Sequence, residues 1–304
     1  MVRKIMLIFI YCMVVSFGKA QDNSLLQMLN DSIFRNTNKN FTTATFKATQ
    51  IVNMQTVENV AAGALSFIIQ HRFGQLNSGA YNLFGLDNAT LRLGLDYGIT
   101  DRFTVGIGRS SFEKTFDGYL KYKLIRQSDG HNAIPITISV VAGINYFTLN
   151  YLDKPYLNTK YRTSYIGQLL IARKFNNALS LQIIPTYLHY NLVPTVNDKN
   201  DEFAITAGGR IKFTKRMGIV AEYNYLLPNQ IVSIPVFNSF SLGWEIETGG
   251  HVFQLVFSNS QGIAASQYIG RTTSGWADGG IYFGFNISRN FTIINHTKQS
   301  LIKH

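Results

Sequence analysis

The chain has 304 residues, of which 46% are hydrophobic, 13% aromatic and 15% charged, and its formal net charge is +11. This high apolar and low charged content excludes a disordered chain and a coiled coil. A single cysteine, Cys12, excludes a disulfide scaffold.

The amino terminus has the organisation of a secretory signal peptide. Arg3 and Lys4 form a short basic region, residues 5–17 are apolar, and Gly18 and Ala20 mark a small-residue cleavage site. The alternative is an amino-terminal membrane anchor, but the apolar stretch is shorter than the roughly 20 residues that span a bilayer. We expect residues 1–20 to be removed, which lowers the net charge to +8 and leaves an exported chain without cysteine.

Residues 21–62 are predicted to form a periplasmic segment that holds no plug-sized domain. Four residues within it have helical spacing and predict a short amphipathic helix on the periplasmic side or in a barrel mouth. Residues 43–52 have a strand-like pattern without a place in the strand count, so they either plug a lumen or pair at a barrel seam. The helical positions are Leu25, Leu26, Leu29 and Ile33.

Beyond residue 62 the chain alternates with a period of two, which is the pattern of strands with one apolar face. From Leu91 to Ile99 every odd position is apolar, and every even position is charged or glycine. No later segment has 18 uninterrupted apolar residues, so no transmembrane helix is predicted. The alternation recurs near residues 103–107, 120–124, 136–140, 181–183, 203–213, 240–246 and 281–287.

The connections between these segments alternate between short and long, except for a short one at residues 113–116 where a long one is expected. An even strand number with both ends on the short-turn side is what a single-chain outer-membrane barrel requires. The predicted fold class is therefore all-β: a single antiparallel transmembrane β-barrel of about 12 strands over residues 63–291, with short periplasmic turns and longer extracellular loops. A secreted β-sandwich is the alternative, and two extra strands are possible at residues 43–52 and 292–295.

Five runs of sequence carry a resemblance to a known family. They are TFKAT at residues 45–49, SGAYNLFGLDNAT at 78–90, TDRFTVGIGRSS at 100–111, DGYLKYK at 117–123 and FGFNISR at 283–289. Together they resemble an uncharacterised family of Bacteroidota outer-membrane β-barrels, a domain of unknown function, over about residues 43–291. The resemblance implies a barrel in the outer membrane and supplies no catalytic or ligand-binding residues.

Nine charged residues are predicted to face the lumen. Arg210 falls nearly opposite Glu222 across a tight turn, which predicts a cross-strand ion pair. Such pairs either line a pore or fill a narrow barrel, and we favour filling because pairing neutralises the charge that selectivity needs. Lys121 and Lys123 have no evident acidic partner on an adjacent strand and are the candidates for attracting anions. The others are Arg92, Lys212, Asp96, Glu245 and Glu247.

The long connection at residues 74–87 is unusually apolar for an extracellular loop. Leu83, Phe84 and Leu86 are its apolar members. We expect this loop to fold inward as a constriction; contact with a partner or an apolar ligand is the alternative.

No set of residues in the sequence indicates catalysis. The six histidines are scattered and lack the spacing of a hydrolase or a metal site, so we expect no enzyme, cofactor or metal. The basic residues do not cluster into a stripe, so no nucleic-acid partner is expected. Residues 292–304 are predicted to be a polar tail.

Three functional hypotheses remain. The first is an outer-membrane barrel that acts as a narrow passive channel or small-solute transporter with weak anion preference. The second is a closed scaffold or binding barrel whose extracellular loops, at residues 150–160 and 259–279, engage another envelope protein. An outer-membrane hydrolase is the third. Outer-membrane lipid and, during insertion, the barrel-assembly machinery are the expected partners.

Overall fold

The computed structural model describes residues 39–130 and 132–294. The expected signal peptide, the helical pattern at residues 25–33 and the end of the tail lie outside the described residues. Of the described residues, 41–129 and 133–294 belong to one compact unit, while 39, 40, 130 and 132 belong to another. The barrel and the contents of its lumen lie in the first of these units.

Twelve antiparallel strands form one closed barrel, as the alternation predicted, and closure excludes the β-sandwich. The last strand pairs with the first of the barrel, with Ile287 opposite Ile69. Two strands of two residues each, β1 (Asn40–Phe41) and β6 (Ser128–Asp129), are not part of the barrel. The barrel strands are β2 (Ala64–Gln75), β3 (Ala89–Thr100), β4 (Phe103–Ser110), β5 (Thr115–Ile125), β7 (Thr137–Phe147), β8 (Thr163–Lys174), β9 (Leu179–Tyr190), β10 (Asp201–Lys212), β11 (Met217–Leu226), β12 (Ser239–Thr248), β13 (His251–Ser258) and β14 (Tyr282–Thr292).

The two faces of each strand differ as the period-two pattern requires. On β3, Leu93 and Leu95 point outward and are 44% and 39% exposed, whereas Arg92 and Asp96 point into the lumen and are buried. Outward apolar side chains suit contact with lipid, and inward polar side chains need partners once they are buried.

Strand connections are short at one end of the barrel and longer at the other. One exception is the connection from β5 to β7, which contains β6 and is long although it lies at the short-turn end. The other is the connection from β4 to β5 at the long-loop end, where Glu113 and Lys114 have φ of 52° and 50°. Two successive residues in this left-handed region form a tight hairpin turn whose twist matches that of the strands. This turn geometry explains why a short connection occurs on the long-loop side.

Within residues 39–130 and 132–294, helical structure is minor. Three short 3₁₀ segments lie at Leu76–Ser78, Ala80–Gly85 and Phe112–Lys114, and one helical turn lies at Ala265–Tyr268. Among the described residues, no helix is both long and apolar enough to cross a membrane.

Candidate functional site: the filled lumen

The lumen contains a hairpin formed by residues 46–60, which we call the lumen hairpin. Gln50 and Gln55 form an antiparallel bridge, and the N–H of Ile51 donates to the carbonyl of Met54 at 2.9 Å. Ile51, Val52 and Met54 are at most 1% exposed. Of the two sequence-based alternatives for residues 43–52, the plug is therefore confirmed and the seam strand is not. The assignment of all of residues 21–62 to the periplasm is corrected, because residues 46–60 lie inside the barrel.

Glu222 on β11 holds the tip of this hairpin. The backbone N–H groups of Val52, Asn53 and Met54 donate to its carboxylate at 3.1, 3.0 and 3.0 Å. Hydrogen bonds to a charged acceptor are the strong ones, and successive backbone N–H groups form a natural anion cradle. Arg72 lies on the other side of the tip and donates from Nη2 to Asn53 Oδ1 at 2.8 Å.

Amide side chains of the wall complete the tip contacts. Gln70 and Asn286 both donate to the carbonyl of Val52, at 3.1 and 2.8 Å. Gln182 accepts the N–H of Val57 at 2.9 Å and donates to the carbonyl of Gln55 at 2.7 Å. These residues were not predicted, because an uncharged amide on a strand gives no sign of what it will contact.

Lys121 and Lys123 are not free cations in the filled lumen, and the expectation that they attract anions stays a prediction. Lys121 is fully buried and donates to Gln55 Oε1 at 3.1 Å and to the carbonyl of Thr56 at 3.2 Å. Lys123 pairs with Glu58 at 3.7 Å. All three partners lie on the lumen hairpin, whereas the sequence-based search considered only adjacent strands.

Asp96 and Arg92 also face the lumen as predicted. Asp96 accepts the hydroxyl of Thr49 on the hairpin at 3.0 Å. Arg92 forms a salt bridge with Asp117 and donates from Nη1 to Gln70 Oε1 at 2.9 Å. Each of these two charged groups therefore has a partner within the lumen.

The predicted ion pair between Arg210 and Glu222 does not form. Arg210 lies opposite Val220 and Glu222 opposite Gly208, so the register is offset from the predicted one by two residues. Arg210 instead forms ion pairs with Glu245, at 2.6 Å, and with Glu247.

Glu247 is the centre of a charged cluster near the short-turn mouth. Besides Arg210 it contacts Lys212 at 3.1 Å and Lys47 of the hairpin at 3.5 Å. These charges compensate one another locally. This agrees with the interpretation favoured in the sequence analysis, in which ion pairs fill the barrel and do not line a pore.

Apolar side chains also join the hairpin to the wall. Phe46, Ile51, Val52, Met54 and Val57 form one buried cluster with inward-facing residues of the strands. The wall members include Val141, Leu170, Ile184, Val220 and Val256. Such a cluster is dry, so the hairpin is part of the barrel's core in this state.

A second element, the connection of residues 259–281, covers the long-loop mouth, and we call it the long-loop lid. Tyr268 and Ile269 are each 1% exposed and pack against Leu188 and Tyr190. Arg271 in the lid pairs with Glu202 of β10 at 2.8 Å. On the far side of the mouth, Gln267 donates to Thr115 at 3.0 Å and Asn145 donates to Ser266 at 2.8 Å.

The lid takes the position expected of the apolar loop at residues 74–87, and that expectation is corrected. Leu83, Phe84 and Leu86 are 54%, 54% and 44% exposed, so they do not pack in the lumen. Leu83 and Phe84 have φ of 45° and 52°, a conformation that bulky residues rarely adopt. The close approach of the backbone at Gly85 to that at Gly74 fixes this turn at the rim.

Little space remains between the hairpin and the lid. The cavity there has a volume of about 50 Å³ and is lined by residues such as Gln55, Tyr119, Gln168 and Tyr268. A volume of this size holds a few water molecules and no larger solute. A wider vestibule of about 750 Å³ opens at the short-turn mouth beside Lys47 and Glu247.

Comparison with known proteins agrees with the fold. The model of a family described as "Membrane bound beta barrel domain (DUF5777)" matches residues 46–291. That match includes the whole lumen hairpin and all of the barrel except the last residue of β14. No curated protein matches the sequence.

Solved structures of similar shape are distant. The NanC porin is 9% identical with a TM-score of 0.47, covering 75% of this chain and 98% of that one. The KdgM porin in complex with disordered oligogalacturonate is 8% identical with a TM-score of 0.46, covering 75% and 99%. The COG4313 outer membrane channel from Pseudomonas putida F1 is 13% identical with a TM-score of 0.45, covering 77% and 98%. Likeness at this level carries no argument about solutes.

Proposed function

Because the chain belongs to this family of membrane-bound β-barrel domains, we propose that it is an outer-membrane channel for small polar solutes that the lumen hairpin closes at rest. The observation that carries the proposal is the attachment of the hairpin tip to Glu222, together with the position of both hairpin arms at one mouth. The signal-peptide pattern at residues 1–20 supports the outer membrane as the location.

The hairpin can leave the lumen without disturbing the barrel. Just before it, the N–H of Thr42 donates to the carbonyl of Gln127, and just after it, the N–H of Ala62 donates to Asp101. Gln127 and Asp101 both lie at the short-turn end. Withdrawal toward that end breaks no bond between barrel strands, since the hairpin pairs with none of them.

The wall that withdrawal would uncover supports a polar solute and a weak preference for anions. Hydroxyl and amide side chains such as Gln70, Gln182 and Ser241 line it. Lys121 and Lys123 would lose the hairpin groups that now compensate them. Arg72 would lose its contact with Asn53 as well, so three cations are uncovered against two acids, Glu222 and Asp96. The excess of positive charge is small, which supports a weak preference for anions.

Apolar packing supports a closed resting state. Fully exposing a buried aliphatic or aromatic side chain costs about 1.5–3 kcal/mol. Five such hairpin side chains are buried, so withdrawal costs on the order of 10 kcal/mol before any hydrogen bond is counted. Opening at a useful rate therefore requires a partner or an applied force, and an envelope protein at the short-turn side is the partner we propose.

The same packing favours a second candidate function. A hairpin that never leaves makes the molecule a closed scaffold, and its long loops are then the surface for another envelope protein. The nearly complete exposure of Tyr81, Leu152 and Val196 at three different loop tips favours this candidate.

Single-channel recording in a planar bilayer separates the two candidates. Glu222→Gln removes the charge that three N–H groups share, so under the applied voltage that supplies the force for opening, openings should become on the order of 100-fold more frequent than in the wild type. Glu202→Gln is the matched control, because Glu202 is a buried carboxylate that contacts the lid and not the hairpin.

The outcomes are distinct. Frequent openings in Glu222→Gln alone support the channel closed by the hairpin. A silent Glu222→Gln barrel, shown to be folded by its heat-modifiable mobility on a gel, supports the scaffold. Equal opening in both variants contradicts a specific role for the hairpin.

A further inference from the structure

The charge at the short-turn rim of the barrel is strongly unbalanced. We define this rim by its turns and by the outward-facing residues at the strand ends beside them. Its two acids are Asp101 and Asp129. Its six cations, all exposed except the half-buried Arg126, are Arg102, Arg126, Arg173, Lys215, Arg216 and Arg289.

Among the described residues, none of these six cations forms an ion pair with an acid. The long-loop rim differs, although it has more charged residues. It contains seven cations and six acids, so its charge is nearly balanced. Arg271 forms an ion pair with Glu202, and Arg162 donates to two loop carbonyls. The unbalanced positive charge is thus a property of one rim.

Two of the rim arginines mark the edge of the apolar surface. On β8 the outward-facing series Leu169 and Ile171 ends in Arg173, whose guanidinium lies 5.0 Å from the ring of Phe175. On β14 the series Phe285 and Ile287 ends in Arg289, whose guanidinium lies 4.9 Å from the ring of Phe291.

An arginine beside an outward aromatic ring at the end of an apolar band lies at the depth of lipid headgroups. The planar guanidinium is also the side chain best suited to binding phosphate with two hydrogen bonds. The short-turn end of a barrel faces the periplasm, so these arginines face the inner leaflet.

We propose that the short-turn rim is a binding surface for the phosphate headgroups of anionic phospholipids in the inner leaflet of the outer membrane. This rests on the proposed outer-membrane location and is independent of whether the lumen hairpin opens. The bound lipid anchors the end of the barrel from which the hairpin arms enter.

The test is a lipid titration of the full-length refolded protein in neutral detergent. Phosphatidylglycerol is added, bound lipids are counted by native mass spectrometry, and the thermal midpoint is followed by heat-modifiable gel mobility. The rim variant combines Arg173→Gln, Lys215→Gln, Arg216→Gln and Arg289→Gln. The matched control removes four cations from the other rim, with Arg109→Gln, Lys114→Gln, Lys154→Gln and Lys160→Gln.

Each cation near an anionic lipid surface strengthens association roughly fivefold. The rim variant should therefore need at least tenfold more phosphatidylglycerol for half-saturation, while the control shifts less than twofold. A second variant with Arg173→Lys and Arg289→Lys keeps the charge and should retain most of the binding. Phosphatidylcholine and inorganic phosphate at equal concentration should raise the thermal midpoint in none of these proteins.

Three results overturn the proposal. Equal losses in the rim variant and its control mean that only net charge matters. Wild-type binding by the rim variant means that the rim does not bind lipid. Stabilisation by inorganic phosphate equal to that by phosphatidylglycerol means that the surface takes a free anion. A silent Glu222→Gln barrel, by contrast, leaves this titration unaffected and bears only on the channel.

Discussion

At the scale of single residues, the lumen is organised by pairs that are far apart in sequence. Glu222 and Val52 are separated by 170 positions, and Gln182 and Val57 by 125. The inward orientation of Glu222 follows from its place in an alternating strand. Its partners do not, because they are backbone N–H groups of a segment whose position only the folded barrel defines.

Lys121 illustrates the same limit. The alternation correctly predicts that it faces the lumen, and the neighbouring strands correctly offer it no acid. Its ammonium group instead donates to a side-chain amide oxygen and to a backbone carbonyl of the hairpin. Neither group can be recognised as a partner from the sequence.

Close approach at Gly208 gives a prediction about the hairpin tip. A Cβ at this position would lie 2.6 Å from Met54 Sδ and 3.1 Å from Ile51 Cδ1. Gly208→Val should therefore displace the tip and lower the free energy of unfolding by about 1–3 kcal/mol, as overpacking does. Urea unfolding of the refolded barrel measures this change.

Gly167→Val is the matched control, because a Cβ at Gly167 has only an ordinary contact, at 3.9 Å from Tyr187. If both variants lose the same stability, the effect belongs to the strands and the tip is not tightly packed.

A second prediction concerns Asp198 in the connection of residues 191–200. The Ser233 side chain, followed by the N–H groups of Val232 and Ser233 and by Thr195, holds the pKa of this carboxyl well below its usual range. The ionised carboxylate stabilises the loops, and this stabilisation is fully present above the ordinary pKa of an aspartate, which is near 4. Because the pKa in the folded protein is lowered, the stabilisation is lost only as the pH falls through that lowered pKa. Protease cleavage of residues 227–238 should therefore be equally slow at pH 7 and pH 4.

Asp198→Ala should accelerate that cleavage severalfold at both pH values, because the three N–H donors lose their acceptor. Accelerated cleavage of the wild type at pH 4 would show that the carboxylate does not keep its charge there.

At the scale of elements, the strands could be predicted and the lumen hairpin could not be placed. A period of two and alternating connection lengths are local signals, and both follow from a wall that separates lipid from a polar interior. The hairpin has a strand-like pattern too, but it pairs with no strand of the barrel, so nothing local fixes its position. The prediction that the apolar loop at residues 74–87 folds inward was wrong for a related reason. Apolar composition alone does not say whether a loop lies in the lumen or at its rim.

The contacts between hairpin and wall predict unequal roles for two neighbouring lysines. Lys121→Met leaves two buried hairpin oxygens without their donor and should lower the free energy of unfolding by about 1–3 kcal/mol. Lys123→Met removes a looser ion pair and should cost about 1 kcal/mol or less. Urea unfolding of the two variants side by side measures the difference; equal costs would mean that Lys121 is not tied to the hairpin.

At the scale of the whole molecule, two elements fill one barrel from opposite ends. The lumen hairpin enters from the short-turn mouth, the long-loop lid crosses the other, and a cavity of about 50 Å³ separates them. The closed lumen accounts for the charged residues inside it, because each of them has a partner on the hairpin, on the lid or on the wall. In the proposed channel the hairpin is the element that opens the short-turn mouth, and a solute must also pass the lid at the long-loop mouth.

The most direct test of this account is a disulfide that locks the hairpin in place. A Cβ at Gly243 lies 3.4 Å from Val52 Cγ2 and 2.8 Å from Val220 Cγ2, so Val52→Cys with Gly243→Cys places two sulfurs close together once the Val220 side chain shifts. The measurement is single-channel conductance of this double variant in the Glu222→Gln background, oxidised and then reduced in the same bilayer. The account predicts silence when oxidised and openings at the Glu222→Gln frequency after reduction. Openings that persist in the oxidised protein, with the disulfide confirmed by mass spectrometry, would contradict closure by the hairpin.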